Sequence, residues 1–316
     1  MVAKTAIHWL GVVAILALGV GATAPAEAAS PTPISACPYE IDDSGNYVVT
    51  QNLTSTGTCI TIRGRNHALD LQGHTITGNG KGYGIVCLTD AYVLCNTNVV
   101  ANGTVTHFSA GVFLDGNYNT VAQITSQQNT GINSDQAGAG VGITLLGDFG
   151  NVITASVATN NALVGISGDE GALLATTVTD SQSNNNGNDG IVAVGVVSNS
   201  TANNNVAFGI FDAVTVTGST AKGNGFGGIA LLTRLNRPSY RSVVNSTASG
   251  NKGNGIEAIG NVISSTANNN TDGGIRLHCP VSAYGNTAVS NPGGNISPTD
   301  NTCVLLDNKT AGQPSP

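Results

Sequence analysis

Charge is what this sequence most lacks. Only 9% of its 316 residues are Asp, Glu, Lys or Arg, whereas about 25% is usual in a soluble domain. Eleven Lys and Arg residues face 18 Asp and Glu residues, so the formal net charge is −7. A nucleic-acid-binding domain normally carries a basic surface. The composition therefore argues against nucleic acid as a partner.

Aromatic residues and helix-forming residues are scarce as well. Aromatics make up 4% of the chain, and Gly does not recur at every third position as it does in collagen. The abundant residues are 42 Gly and 36 Asn, with many Thr, Ser and Val, and all of these are mediocre or poor helix formers. Because 40% of the residues are hydrophobic, the composition predicts a folded chain of strands and turns.

Residues 1–28 have the pattern of a secretory signal peptide. Lys4 precedes an apolar run from Trp9 to Val20, and small-x-small cleavage sites follow at residues 24–26 and 26–28. An uncleaved membrane anchor is the alternative, since residues 5–26 carry no formal charge. No later segment is apolar enough to span a bilayer. We expect a secreted, periplasmic or surface protein, and the oligomeric state stays open.

Six cysteines fit such an exported chain, because an even number suggests disulfides. Six cysteines allow 15 pairings, and pairing between sequence neighbours is the simplest. The predicted bonds are Cys37–Cys59, Cys87–Cys95 and Cys279–Cys303. A zinc site is the rival interpretation, but the sequence contains no CxxC. No metal site is therefore predicted from the cysteines.

A dipeptide of Gly followed by Ile or Val recurs along the chain and defines a repeat. Its glycines are Gly84, Gly111, Gly131, Gly142, Gly165, Gly190, Gly209, Gly228, Gly255 and Gly274. From Gly165 the steps are 25, 19, 19, 27 and 19 residues. Asn precedes the Gly by four residues in each of the last six units, and Ser-Thr-Ala begins nine residues before it in four of them. Such a unit, without a helix, fits one coil of a parallel β-helix whose Ile points inward.

The repeat assigns structural roles and a domain organisation. We expect the Gly to supply a positive φ at a tight corner. We expect the Asn to adopt the left-handed conformation or to bond amide to amide along the stack. The predicted segments are a signal peptide at 1–28, an N-terminal cap at 29–59, a β-helix of about nine to ten coils at 60–285, and a C-terminal cap and tail at 286–316.

The entry into this repeat is distinctive. Residues 43–76 contain Gly-Asn-Tyr-Val-Val at 45–49, Asn-Leu at 52–53 and Leu-Asp-Leu-Gln-Gly-His-Thr-Ile at 69–76. This run resembles the entry segment of secreted bacterial right-handed parallel β-helix repeat proteins of the pectin-lyase-like superfamily, and the resemblance covers roughly residues 36–305. It implies an all-β fold, a single-stranded right-handed parallel β-helix. That superfamily includes polysaccharide lyases, hydrolases, epimerases, tailspikes and adhesins, so it does not imply one function.

Alternation from each inward Ile predicts which residues face outward from one side of the coils. The first group on that side is acidic and comprises Asp90, Asp115, Asp148, Asp169 and Glu170. Carboxylates one or two coils apart could act as acid and base in glycoside cleavage, with Asp115 and Asp169 catalytic and Asp148 binding substrate. The same oxygens could hold Ca²⁺, the one cofactor considered. Solvated turn residues are the favoured alternative, given the Gly-Asp contexts.

The second group on that side combines Glu257, Arg276 and His278. Glu257 and Arg276 occupy the same position on adjacent coils, which predicts that their side chains are neighbours. A surface ion pair, worth under about 1 kcal/mol, is the favoured interpretation. In the functional alternative, Glu257 binds substrate, Arg276 neutralises a substrate carboxylate or its enolate, and His278 moves a proton.

An insertion lengthens one step of the repeat. Residues 233–241 carry three of the few cations of the chain. We expect this loop to project over the groove and to bind substrate, because long loops on rigid scaffolds often carry function. Its candidate substrate-binding residues are Arg234, Arg237, Tyr240 and Arg241.

Two functions follow from these observations. The first is an exported β-helix protein that binds an extracellular polysaccharide and, if it is an enzyme, acts on it as a lyase, glycoside hydrolase or epimerase. The second is a non-catalytic surface or periplasmic scaffold or adhesin, because the Gly-His-Gly and Arg-Ile-Lys motifs of pectin-hydrolysing β-helix enzymes are absent. The four candidate catalytic residues are Asp115, Asp169, Arg276 and His278. If they share no groove, the enzyme interpretation largely fails.

Overall fold

The computed structural model describes residues 30–89, 94–131, 136–168, 176–192, 195–232 and 241–311. From Pro31 onward these residues belong to a single unit. The predicted signal peptide lies outside them and stays a prediction. Within the described ranges, no helix is long and apolar enough to cross a membrane.

The described residues form short strands separated by turns. The first seventeen are β1 Thr32–Ile34, β2 Tyr39–Ile41, β3 Gly45–Val49, β4 Leu53–Thr54, β5 Ile60–Ile62, β6 His67–Asp70, β7 Thr75–Thr77, β8 Tyr83–Cys87, β9 Val99–Thr106, β10 Ala110–Asp115, β11 Thr120–Gln127, β12 Ile143–Leu146, β13 Asn151–Thr154, β14 Val157–Thr159, β15 Ile166–Ser167, β16 Thr176–Thr179 and β17 Gln182–Asn184. The others are β18 Ile191–Val192, β19 Val196–Ser198, β20 Thr201–Asn203, β21 Ile210–Phe211, β22 Thr215–Thr217, β23 Thr220–Lys222, β24 Ile229–Leu231, β25 Ser242–Val244, β26 Thr247–Ser249, β27 Ile256–Ala258, β28 Asn261–Ile263, β29 Thr266–Asn268, β30 Ile275–Leu277, β31 Ser282–Tyr284, β32 Thr287–Val289, β33 Ile296–Pro298, β34 Val304–Leu306 and β35 Lys309–Ala311.

The strands stack in parallel, three to a coil. One sheet of 12 strands runs in chain order from β2 to β33 and contains the strands that follow Gly. We call it the Gly-Ile sheet. The other 23 strands line the two remaining sides of the coils and are joined into one sheet through the long strands β9 and β11. From β13 onward each strand of these two sides pairs in parallel with the strand three places later, as β19 does with β22. The predicted parallel β-helix is confirmed.

The stack extends into both segments that the sequence assigns to caps. β2 pairs in register with β5 at one end, and β33 pairs with β30 at the other. The 12 strands of the Gly-Ile sheet therefore mark more coils than the repeat pattern alone defined. Strands that return in parallel to one sheet do so by right-handed crossovers, which is the hand that the resemblance implies.

The interior is a narrow aliphatic column. The residues that follow Gly are at most 1% exposed, and they include Val112, Ile143, Ile166, Ile191, Ile210, Ile229, Ile256 and Ile275. Opposite them lie columns of Val and Ala, such as Val197, Val216 and Val243 on one side and Ala202, Ala221 and Ala248 on another. A single coil cannot bury its own apolar face, so stability comes from contact between neighbouring coils.

The recurring Asn forms a buried ladder of amides. Its members are Asn129, Asn161, Asn186, Asn205, Asn224, Asn251, Asn270 and Asn291, all at most 4% exposed. The backbone N–H and side-chain Nδ2 of each donate to Oδ1 of the next over 2.8–3.2 Å. The predicted amide stacking is confirmed. The left-handed conformation instead falls on the preceding residue, as at Asn160, Asn185 and Asn204.

The Ser of the four Ser-Thr-Ala motifs and the equivalent Ser of the two preceding coils form a second buried ladder. It runs through Ser156, Ser181, Ser200, Ser219, Ser246 and Ser265. Each backbone N–H donates to the hydroxyl of the next Ser at 3.2 Å, and each hydroxyl donates to the carbonyl two residues earlier. Two corners of the coil are therefore fixed by satisfied buried polar groups.

The Gly before each Ile is required by close packing and not by its φ. None of the repeat glycines within the described ranges has a positive φ, so the predicted corner role is wrong. A Cβ at Gly209 would lie 2.6 Å from Asn224 Nδ2, 2.7 Å from Ala221 Cβ and 2.8 Å from the Gly228 carbonyl. The amide ladder of the next coil occupies the space that a side chain would need.

The disulfide pairing is confirmed. Cys37 bonds Cys59, Cys87 bonds Cys95, and Cys279 bonds Cys303, and no cysteine is free. The first and third bonds lie at the two ends of the stack, where a coil has a neighbour on one side only.

Candidate functional site

The first outward position of the Gly-Ile sheet forms a column in register along the whole stack. The column reads Glu40, Thr61, Val86, Phe113, Thr144, Ser167, Val192, Phe211, Ala230, Glu257, Arg276 and Ser297. Its middle part is covered, since Phe113 is 3% and Ala230 1% exposed. Charged side chains occur only near its two ends, which draws attention to Glu257 and Arg276.

Glu257 joins two other candidate residues into one cluster. Its Oε1 lies 2.8 Å from His278 Nε2 and 3.7 Å from Arg276 Nε. Its Oε2 accepts a hydrogen bond of 3.1 Å from Asn254 Nδ2. The structure thus places Glu257, Arg276 and His278 together, on β27 and β30 and the residue that follows β30.

The cluster borders an open cleft of about 480 Å³. Residues that line the cleft include Asn254, Thr271, Asp272, Arg276, Ser297 and Thr299. Gly273 and Gly293 form part of the wall, and a Cβ at Gly273 would lie 2.7 Å from Asn254 Oδ1. We call this the C-terminal cleft.

The C-terminal cleft offers both donors and acceptors to a polyhydroxylated ligand. Arg276 has a half-exposed side chain with up to five N–H donors. The Asp272 carboxylate is an exposed acceptor, and the hydroxyls of Thr271 and Thr299 donate and accept. The Glu257 carboxylate is only 17% exposed and holds the His278 ring in place. The arrangement can bind sugar hydroxyls and can orient an imidazole beside them.

Aromatic side chains lie on the coils just before the cleft. Phe208 stacks on Phe211 with centroids 4.8 Å apart, and Phe226 meets Phe208 edge to face at 4.9 Å. Phe226 is 63% exposed, and its carbonyl accepts from the N–H of Gly253, the residue before Asn254. Phe211 and Phe226 are among the few aromatic residues that the sequence offers for stacking on sugars, but the repeat does not predict their contact with Phe208, because Phe208 and Phe226 lie in turns before the strands.

The acidic group of the N-terminal half does not meet this cluster. Asp115 ends β10, and His278 follows β30, seven strands further along the Gly-Ile sheet. At about 4.8 Å per strand they are roughly 34 Å apart. The candidate catalytic residues therefore do not share one groove, and Asp115 cannot act with His278 on one bond. Asp148 is exposed in a turn, while Asp169 lies outside the described residues.

Arg241 requires a correction. It is 3% exposed, and its Nη1 lies 2.6 Å from Asp212 Oδ1 and 3.0 Å from the Ala213 carbonyl. A buried, paired guanidinium fixes the coil and is not a loop cation available to substrate. Arg234, Arg237 and Tyr240 lie outside the described residues, so their predicted substrate-binding role stays a prediction.

A smaller pocket lies at the N-terminal end of the same side. It measures about 270 Å³ and is lined by Thr58, Thr61, Tyr83, Val86 and Arg63, among others. Arg63 pairs with Glu40 at 3.1 Å and with Asp42 at 3.7 Å. Burial raises the pKa of the Tyr83 hydroxyl, and a hydrogen bond with Gln136 partly opposes this. The pocket's described lining residues include no carboxylate and no imidazole, whereas the Glu257–His278 pair lies next to Arg276 of the C-terminal cleft.

The described residues give no evidence for a metal-binding site. Within those ranges, no group of three or more His, Cys, Asp or Glu side chains is arranged to hold an ion. The Ca²⁺ alternative for the acidic group depends in part on Asp90, Asp169 and Glu170, which lie outside the ranges.

Comparison with known proteins identifies the architecture. No protein-family model and no curated protein sequence matches the chain. Among solved structures, the A-module of mannuronan C-5 epimerase AlgE6 from Azotobacter vinelandii is similar, with 12% identity, coverage of 89% of this chain and 90% of that chain, and a TM-score of 0.54. The AlgE4 A-module from the same organism (15% identity, 89% and 86% coverage, TM-score 0.48) and pectate lyase Pel9A (15%, 85% and 70%, 0.33) are more distant in structure. The chain therefore has the pectin-lyase-like parallel β-helix fold.

Proposed function

We propose that this protein binds an extracellular polysaccharide in the C-terminal cleft. The observation that carries the proposal is the convergence of Glu257, Arg276 and His278 beside an open cleft, with the exposed Phe226 ring on a preceding coil. Sugar-binding sites combine a few fixed polar groups with apolar or aromatic surface. A similar fold in an enzyme named for its action on mannuronan supports this ligand class.

We propose an oxidising compartment, outside the cytoplasm, as its location. Three disulfides and no free cysteine in the described chain support this, because disulfides persist in secreted and periplasmic proteins. The predicted signal peptide agrees with it. Cell fractionation of the producing cells tests the location, and recovery of the full-length protein in the cytoplasm would contradict it.

Binding is tested with a polysaccharide panel and one charge variant. Affinity electrophoresis or calorimetry of the wild-type protein is expected to detect at least one ligand, and Arg276→Ala is expected to weaken it roughly tenfold, as loss of a charged hydrogen bond does. Arg63→Ala is the matched control, since Arg63 is about as exposed and also ion-paired, at the far end of the same side. Equal effects of the two substitutions, or no ligand, would contradict the proposal.

Catalysis beside the same cleft is the second candidate function, and it is reduced to the Glu257–His278 pair, because Asp115 lies seven strands away and cannot take part. Its support is the 2.8 Å contact between Glu257 Oε1 and His278 Nε2, which can hold an imidazole for proton transfer. We expect turnover, if it occurs, to fall at least a hundredfold in His278→Ala while ligand affinity changes little. Reducing ends report a hydrolase, the absorbance of unsaturated products reports a lyase, and a change in the uronate composition of the polymer by NMR reports an epimerase. Binding without a change in any of the three assays would leave the non-catalytic interpretation as the function.

A further inference from the structure

The charges of the C-terminal cleft indicate what kind of polysaccharide fits it. Starting from the proposed function, we infer that the ligand is a neutral glycan, and that it crosses from a stacking platform on Phe226 into the cleft at Arg276. This narrows the ligand class that the fold similarity suggests, because an enzyme acting on mannuronan binds a polyanion.

Among the described residues that line the cleft, the one arginine is already balanced by carboxylates. Arg276 Nε lies 3.7 Å from Glu257 Oε1. Asp272 lines the same cleft, and Asp300 follows the lining residue Thr299. The other nearby cation among the described residues is Lys252, exposed in the turn two residues before Asn254. Within the described ranges, the side chains of Arg276 and Lys252 thus lie near the three carboxylates of Glu257, Asp272 and Asp300.

A polyuronate carries one carboxylate on each sugar. Without a net positive charge, the cleft gives such a chain no electrostatic gain and places like charges together, which disfavours binding. A neutral sugar avoids this repulsion. Its hydroxyls can still form hydrogen bonds with Arg276, Asn254 and Asp272, which offer donors and acceptors, without the repulsion that a carboxylate on the sugar would cause.

The aromatic platform favours the same ligand. Phe226 exposes 63% of its surface and is braced by Phe208, which stacks on Phe211. A rigid exposed ring presents apolar surface to the C–H face of a pyranose. Phe226 and Asp272 occupy equivalent turn positions, since Gly253 bonds to Phe226 on one side and to Asp272 on the other. They therefore lie two coils, or about 10 Å, apart, a span that two adjoining sugars can cover.

Phe226, Asn254, Asp272 and Arg276 all lie within the described residues. Arg234 and Arg237 belong to the insertion outside the described residues, so the experiment tests their contribution directly. Because the platform and the cleft adjoin, one oligosaccharide is expected to contact both. Binding of a protein partner to Phe226, in place of a sugar, would contradict the inference.

The test compares neutral and acidic oligosaccharides on the same protein. The neutral set consists of oligomers of glucose, mannose, galactose and xylose, and the acidic set consists of oligomers of mannuronate, guluronate and galacturonate. Dissociation constants are measured at about 10 mM and about 1 M salt, between which the Debye length falls from about 30 Å to about 3 Å. A neutral ligand is expected to bind most tightly, with less than about twofold change between the two salt concentrations.

Two variants and one control distinguish the contribution of the aromatic platform to ligand affinity from the contribution of the charges around the cleft. Phe226→Ala is expected to weaken the neutral ligand roughly tenfold, whereas Phe149→Ala, at an equally exposed ring on a distant coil, is expected to leave it unchanged. Glu257→Gln removes the carboxylate beside Arg276 and is expected to increase affinity for uronates severalfold. Circular dichroism and thermal unfolding confirm that each variant is folded.

Three results would overturn the inference. One is a wild-type protein that binds uronates more tightly than neutral glycans, with affinity that falls as salt rises and that drops in Arg234→Ala or Arg237→Ala. Another is an unchanged affinity in Phe226→Ala. The third is a wild-type protein that self-associates in analytical ultracentrifugation while Phe226→Ala does not, which would mark the ring as a protein contact. If no glycan of either set binds, the proposed function itself fails, and that outcome is distinct from the other three.

Discussion

Asn205 illustrates how the abundant amides of this chain are used. Its Nδ2 donates to the Ser183 carbonyl at 3.0 Å and to Asn224 Oδ1 at 3.1 Å, and its own Oδ1 accepts from Asn186. Repetition in the sequence was enough to predict amide stacking. The role of Gly209 was not predictable in this way, because the atoms that exclude a side chain there belong to the next coil.

Asn205→Ala is expected to destabilise the protein by about 3 kcal/mol, because it leaves buried donors and acceptors without partners. Asn203→Ala is the matched control on the same coil. Asn203 also accepts from a neighbouring backbone N–H, at 2.9 Å from Lys222, but it is partly exposed and water can replace it. Denaturant unfolding measures both variants. A similar loss in the two would show that burial of the ladder contributes little.

The residues in and beside the C-terminal cleft could be predicted from the sequence only in part. Glu257 and Arg276 could be paired from the repeat, and the structure places them on adjacent strands. Asn254 and Asp272 join them because the turns before β27 and β30 lie beside the strand ends. The course of those turns depends on coil-to-coil hydrogen bonds, which the spacing of Gly and Ile does not specify.

At the scale of the strands, inward and outward sides follow from alternation. The column of inward Ile residues was predicted and is buried. Outward positions were predicted to be open, but Phe113 and Ala230 are covered. A Cβ at Gly138 would lie 2.6 Å from the Phe113 ring, so the turn at 136–141 is one of the covering segments. Insertions between strands decide where the outer surface is accessible, and their course is not periodic.

The Arg241–Asp212 pair gives a prediction at this scale, since it ties the start of β25 to the coil of β21. Asp212→Ala is expected to cost about 3–5 kcal/mol, because it leaves the buried Arg241 guanidinium without its counter-ion. Glu40→Ala breaks the exposed Arg63 pair and is expected to cost less than about 1 kcal/mol. Chemical unfolding of both proteins measures the difference. Equal costs would contradict the structural role assigned to Arg241.

For the whole molecule, stability is the sum of coils and of the contacts between neighbours. The repeat predicted this architecture, because the stacking of coils follows from sequence periodicity. Pairing of neighbouring cysteines predicted the disulfide at each end of the stack. The sequence divides the candidate catalytic residues into two groups but does not give the distance between them. The seven strands that separate Asp115 from His278 depend on counting coils across insertions.

Removal of one complete coil tests this description. Deletion of residues 191–209 joins Gly190 to Ile210 and removes one 19-residue unit. The protein is expected to fold with cooperative unfolding and a Tm lowered by less than about 10 °C. Deletion of residues 191–200 alone breaks the register and is expected to prevent folding. If both deletions unfold the protein, or neither does, the additive description of the stack is wrong.

The most direct test of the proposed function is the structure of the protein with a bound neutral oligosaccharide. The ligand is first identified in the binding panel and then soaked or co-crystallised. We expect one sugar ring stacked on Phe226 and the adjoining sugar in the C-terminal cleft, with hydroxyls within hydrogen-bond distance of Asn254, Asp272 and Arg276. Ordered sugar at any other place on the coils, with this cleft empty, would contradict the account.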